Sequence, residues 1–122
     1  MKILFIDDDR MVLEVVGEML SDLGYNMKLI SDPREAVIYS QQRCFDIDVV
    51  ISDIHMPYMS GTTVVRKIRE IHPDLPAIFL TGHADITAPG KLLTKPCTLG
   101  SLEKAIAEVS GRRKIGSLLR SG

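Results

Sequence analysis

Residues 3–6 read Ile-Leu-Phe-Ile, an apolar run without polar alternation, and it stops at three carboxylates, Asp7-Asp8-Asp9. A strand that is apolar on both faces has to be covered on both, the condition met by a parallel sheet between helical layers. A second run, Val49-Val50-Ile51-Ser52, also ends on a carboxylate, Asp53. In an open parallel sheet the carboxyl ends of the strands line one crevice, where ligands bind. Asp7, Asp8 and Asp53 are therefore expected to face one another. At an effective dielectric of about 20, two like charges about 4 Å apart repel by roughly 4 kcal/mol. Such a cluster persists if a cation sits in it or if one member reacts.

The remaining pattern alternates strand and helix. Met11, Val12, Val15, Val16, Met19, Leu20 and Leu23 recur at helical spacing, and Gly24 stands where a left-handed cap usually closes a helix. Residues 25–30 alternate as a strand does. Asp32-Pro33 then opens a second helix, with Asp32 as N-cap and Pro33 at the first helical position, running to about Arg43. A third strand is expected over residues 47–52. A loop follows from Ile54 to Gly61, and a third helix from Thr62 to Ile71 carries Val64, Val65, Ile68 and Ile71. Pro76 leads a fourth strand to Thr81, and Leu92-Leu93 marks a short fifth. A last helix runs from Thr98, its N-cap, to about Val109. Alternating elements with short connections predict a doubly wound parallel sheet.

One connection departs from that plan. Parallel strands need a crossover of at least about 10–12 residues, helix included. Gly82 to Lys91 contains Pro89 and two glycines and has little helical periodicity. The fourth helix is expected to be missing or reduced to a single turn.

Lys95 follows the fifth strand and Thr81 ends the fourth, so an ammonium and a hydroxyl join the carboxylates at one sheet edge. Several carboxylate oxygens suit a hard cation such as Mg²⁺. A carboxylate beside that cation can attack phosphorus and become an aspartyl phosphate. Such a transfer needs positioning and charge neutralisation more than covalent help.

Asp7-Asp8 after an apolar strand, Asp53-Ile-His-Met-Pro-Tyr-Met-Ser-Gly61, Leu80-Thr81-Gly82 and Lys95-Pro96 together resemble the receiver domain of two-component response regulators. The resemblance implies a flavodoxin-like five-stranded α/β sheet of order 2-1-3-4-5. It implies that Asp53 accepts a phosphoryl group from a sensor histidine kinase or phosphotransfer protein. Mg²⁺ would be held by Asp8, Asp53 and the backbone carbonyl of His55, with Asp7 acting mainly through water. Lys95 would meet the phosphoryl group, and Thr81 would sense it. Two departures from the family stand out. The helix before the fifth strand is about two turns short, and Leu92 stands where an aromatic switch residue is common.

Other features read more plainly. Asp9 is expected to cap the first helix, and His83 and Asp85 to belong to a polar loop. Cys44 and Cys97 lack a metal or redox spacing and read as reduced thiols. A net charge of −1 makes no case for nucleic acid, and no apolar stretch approaches the roughly 20 residues of a membrane span. No secretory leader is recognisable in MKILFIDDDR, and a cytoplasmic location is the expectation. Residues 1–110 are expected to form the receiver, and 111–122 a basic tail that frays or extends the last helix. No helix-turn-helix follows, so a stand-alone, non-enzymatic receiver acting on an unknown downstream protein is the expectation. Two rivals remain. One is a small phosphohydrolase using an Asp7/Asp9 pair, and the other is a receiver-like binding module that works without phosphorylation.

Overall fold

The unalternating runs become the inner strands of one sheet. The structure is a computed structural model that describes residues 1–83 and 86–121, with side chains as far as Gly111. β1 (Lys2–Ile6), β3 (Val49–Asp53) and β4 (Ala77–Thr81) lie inside, and β2 (Asn26–Ile30) and β5 (Lys91–Thr94) form the edges. The order is β2-β1-β3-β4-β5 with every pairing parallel, the expected flavodoxin-like arrangement. Among the described residues the helices are α1 (Arg10–Asp22), α2 (Pro33–Ser40), α3 (Gly61–Arg69) and α4 (Leu99–Ser121). The backbone of α4 continues through the predicted tail, whose side chains lie outside the described residues.

The period of two is present in the strands but masked, because both faces are buried. Leu4, Ile6, Val50 and Phe79 enter one core with Ala36 of α2 and Val64, Val65 and Ile68 of α3. Ile3, Phe5, Val49, Ile51, Ile78 and Leu80 enter the other, with Leu13 and Leu20 of α1 and Leu102 and Ile106 of α4. Each such side chain larger than alanine contributes roughly 1.5–3 kcal/mol by leaving water. Asp9 and Asp32 cap α1 and α2 as expected. Asp9 Oδ1 accepts from the Met11 and Val12 amides, and Asp32 Oδ1 from the Arg34 amide.

The stripe on α1 is partly inward: Leu13, Gly17 and Leu20 are buried, whereas Met11, Val15, Met19 and Leu23 are exposed. At Gly17 the helix lies close to the sheet, since a Cβ there would meet Leu29 Cδ1 at 2.8 Å. α2 ends at Ser40 rather than near Arg43. The Ser40 carbonyl contacts His72 Nε2 at 2.9 Å, and the chain tightens through Gln41 N–H to the Ile38 carbonyl.

No helix joins β4 to β5 among the described residues; Ala84 and Asp85 lie outside that description. The return path explains how the chain manages without one. β5 starts beside Ile78, so the chain retreats only from Thr81 to the level of Ile78. That is about 10 Å, against up to about 30 Å spanned by residues 82–90 when extended. Ile86 and Ala88 pack on the α2/α3-side core where a crossover helix would lie, and Leu92 packs there too. Arg69, at the end of α3, fastens this strap. Its Nη1 donates to the Pro89 carbonyl at 2.6 Å, and its Nε and Nη2 donate to the Leu75 carbonyl at 3.0 and 2.8 Å. Burial pulls the Arg69 pKa below its ordinary value.

Candidate functional site

The carboxyl ends of β1, β3, β4 and β5 converge as expected. Asp7 and Asp8 follow β1, Asp53 and Thr81 end β3 and β4, and Lys95 follows β5. One oxygen from each of Asp7, Asp8 and Asp53 lies within 4.8 Å of the others. Asp7 and Asp53 are buried, and Asp8 is exposed. Lys95 Nζ donates to Asp53 Oδ2 at 2.9 Å and stands 3.8 Å from Asp7 Oδ2. Its neighbouring peptide bond, Lys95–Pro96, is cis.

The two buried carboxylates differ in their support. Asp7 Oδ1 accepts from the Asp9 amide at 3.0 Å, but buried Oδ2 has no hydrogen-bond partner among the described residues. Burial raises the Asp7 pKa; the Asp9 amide and Lys95 offset part of this, while Asp53 and Asp8 add to it. Asp53 Oδ1 accepts a long contact from the His55 amide at 3.4 Å. Burial lowers the Lys95 pKa, but its hydrogen bond to Asp53 and the surrounding negative charge outweigh this and raise it overall.

Backbone approach sets these positions. The Gly61 amide donates to the Ile54 carbonyl at 2.9 Å, closing the loop between β3 and α3. A Cβ on Gly61 would overlap the Asp53 carbonyl oxygen, so a side chain there would push α3 away from the strand end. Thr81 is fully buried, and its Oγ1 accepts from the His83 amide at 3.1 Å and lies 3.4 Å from His55 Nε2. The imidazoles of His55 and His83 meet edge to face at 4.8 Å. His83 therefore belongs to the site's rim; Asp85 lies outside the described residues.

Three carboxylates against one ammonium leave the pocket short of positive charge. An unpartnered buried oxygen and two further hard oxygen donors within 4.8 Å fit a small divalent cation. Asp9 points its carboxylate at the start of α1, so the Asp7/Asp9 pair of the phosphohydrolase rival is not assembled. Arg69 and the contact of Arg34 with Tyr58 escaped the sequence reading. Neither residue sits in a recognisable motif, and their partners are distant backbone or another loop.

The family model of the response regulator receiver domain matches residues 3–109, and the chain belongs to that family. It is 30% identical over 115 residues to the sensor kinase CckA of Brucella abortus, covering 88% of this chain and 12% of that protein. It is 37% identical over 84 residues to the C4-dicarboxylate transport transcriptional regulatory protein DctD of Rhizobium meliloti, covering 69% of this chain and 18% of that one. The chain thus spans a small part of these curated relatives. Among solved structures it resembles a response regulator receiver domain from Clostridium thermocellum, with a TM-score of 0.84 and 34% identity. That match covers 93% of this chain and 97% of the other.

Proposed function

We propose that the chain is an Mg²⁺-dependent phosphoacceptor. Asp53 takes a phosphoryl group from a sensor histidine kinase or phosphotransfer protein, and the product signals by protein contact in the cytoplasm. The observation that carries this reading is the 2.9 Å contact of Lys95 with Asp53, beside Asp7 and Asp8. No helix among the described residues is long and apolar enough to cross a membrane.

Asp8, Asp53 and the His55 carbonyl would hold Mg²⁺, with Asp7 reached through water. Once bound, the ion would neutralise charge on the phosphoryl oxygens. An oxygen of Asp53 attacks phosphorus, the P–N bond of the donor phosphohistidine breaks, and its electron pair returns to the imidazole, which takes up a proton. Lys95 moves its ammonium from the carboxylate to a phosphoryl oxygen. The buried Thr81 hydroxyl exchanges its present contacts for a phosphoryl oxygen, releasing the His83 amide at the start of the strap. A shift between two conformations then changes partner affinity. In this reading the chain is the acceptor of the phosphoryl group, and its own lysine and carboxylates assist the transfer; it is not proposed to turn over a separate substrate.

Incubation with phosphoramidate and Mg²⁺, followed by mass mapping of the acyl phosphate, tests this. Modification is expected on Asp53 and absent from Asp53→Ala. A label on Asp7 that survives Asp53→Ala would restore the phosphohydrolase reading. Binding of Mg²⁺ without modification by any donor would favour the phosphorylation-independent module.

A further inference from the structure

The loop between β3 and α3 carries His55 to the acidic cluster, and its tip is held from a different element. At the base, Ile54 N–H donates to the Leu80 carbonyl at 3.0 Å, and Gly61 N–H to the Ile54 carbonyl at 2.9 Å. Met56 and Met59 pack on the core. The tip turns sharply at Tyr58, whose φ of +71° lies in the left-handed region, and Met59 N–H donates to the Pro57 carbonyl at 2.8 Å. A bulky residue is strained there, and the conformation persists only where its surroundings enforce it.

Arg34, in the first turn of α2, provides such enforcement. Its guanidinium carbon lies 3.7 Å from the centroid of the Tyr58 ring. That distance is well within the reach of a cation–π contact, and arginine prefers such stacking. The guanidinium is itself oriented before it meets the ring. Asp32 Oδ1 accepts from Arg34 Nε at 3.1 Å, and Oδ2 from Nη2 at 2.8 Å and Nε at 3.3 Å. Asp32 is in turn fixed as the cap of α2, through the Arg34 amide at 2.9 Å. Because α2 and α3 pack on the same face of the sheet, the clasp spans from one helix start to the loop entering the next.

We propose that Arg34 and Tyr58 are positioning residues: their stacked contact holds the β3–α3 loop, and with it the His55 backbone, in the conformation that receives the divalent cation. The cation step rests on the function proposed above; the ordering of the loop does not. The ring face of Tyr58, which the guanidinium covers, is assigned the holding role, and the hydroxyl the lesser one. A pair this exposed is expected to change cation affinity by two- to five-fold, about 0.4–1 kcal/mol at 1.4 kcal/mol per tenfold.

The full chain and its Arg34→Met, Tyr58→Leu and Tyr58→Phe variants are compared by amide exchange without metal and by Mg²⁺ titration. Exchange at His55 and Met59 is expected to quicken in Arg34→Met and Tyr58→Leu. Half-saturation by Mg²⁺ should rise two- to five-fold in the same two variants. Tyr58→Phe should match the parent in both measurements, and the Arg34→Met/Tyr58→Leu double variant should be no worse than either single one. Loop exchange unchanged in both disruptive variants would overturn the clasp, as would additive effects or a loss in Tyr58→Phe equal to that in Tyr58→Leu. Quickened exchange with unchanged Mg²⁺ affinity would overturn its role toward the cation. A parent chain with no Mg²⁺ response would remove the metal reading and that role together, leaving the exchange comparison to judge the clasp.

Discussion

Asp7→Asn should stabilise the metal-free protein at neutral pH, although Asp7 belongs to the machinery proposed for phosphoryl transfer. Asp7 is buried, and its Oδ2 has no hydrogen-bond partner among the described residues. At an effective dielectric of about 20, attraction to Lys95 at 3.8 Å is about 4 kcal/mol, and repulsion from Asp53 within 4.8 Å is at least about 3.5 kcal/mol. These nearly cancel, and the exposed Asp8 adds a screened repulsion. Desolvation of the buried charge then decides the sign; because the amide still leaves one polar atom unpaired, only the excess cost of a charge over a neutral group is gained, about 1–3 kcal/mol. Asparagine keeps the acceptor for the Asp9 amide, and Lys95 keeps its 2.9 Å contact with Asp53, so no charge is orphaned. For a domain of this size the gain corresponds to a melting temperature higher by about 4–12 °C. The pH dependence has a definite sign. Asp7 has a raised pKa, so the folded state binds the proton more tightly than the unfolded state. Its penalty is absent below the ordinary carboxylate range and grows as pH rises through the folded value. The stability gap between variant and parent should therefore close in acid. Millimolar Mg²⁺ should reverse it, because the parent gains more from a ligand bound only by the native state. Thermal melts in chelator and in Mg²⁺, at several pH values, measure all three effects. A variant that melts below the parent in chelator at neutral pH would refute the reasoning.

Gly90→Ala should cost about 1–3 kcal/mol in chemical denaturation, since its Cβ would meet the Ala77 carbonyl oxygen at 2.6 Å and the Phe79 ring at 3.0 Å. Arg69→Met keeps the stem but removes three N–H contacts to the Leu75 and Pro89 carbonyls; it should lower stability by about 1.5–3 kcal/mol and quicken amide exchange at Ile86 and Ala88. Lys95→Met should abolish most modification by phosphoramidate while leaving the far-UV spectrum native, as mass mapping and circular dichroism will show. The Lys95 pKa is raised, so its stabilising pair with Asp53 is complete below the ordinary lysine value and fades as pH climbs through the folded value. Alkaline melts of the parent should show that loss, and those of Lys95→Met should not.

Much of the site was legible in the chain because its chemistry is concentrated at strand ends. Asp7, Asp8, Asp53, Thr81 and Lys95 each follow or end an apolar run, and a parallel sheet brings such ends to one edge. That no helix joins β4 to β5 among the described residues was legible too, since Pro89 and the glycines around it break any helical period. The burial of α1 was not. Periodicity assigns a stripe to the helix but not its rotation, which follows from the close approach of Gly17 to Leu29.

Local sequence alone therefore determined the order of elements, the helix N-caps Asp9, Asp32 and Thr98, and the kinds of chemical group delivered to the crevice. These depend on backbone preference and on residues a few positions apart. The tertiary structure alone decided which atoms carry the consequences. It left Asp7 Oδ2 without a hydrogen bond among the described residues, tied Arg69 to two carbonyls of separate loops, and stacked Arg34 on Tyr58. Each of these depends on segments distant in the chain being packed to within a few ångströms. Hydrogen bonding, desolvation and ring contacts act only at that range, so their sign and strength arise once the chain has closed on itself.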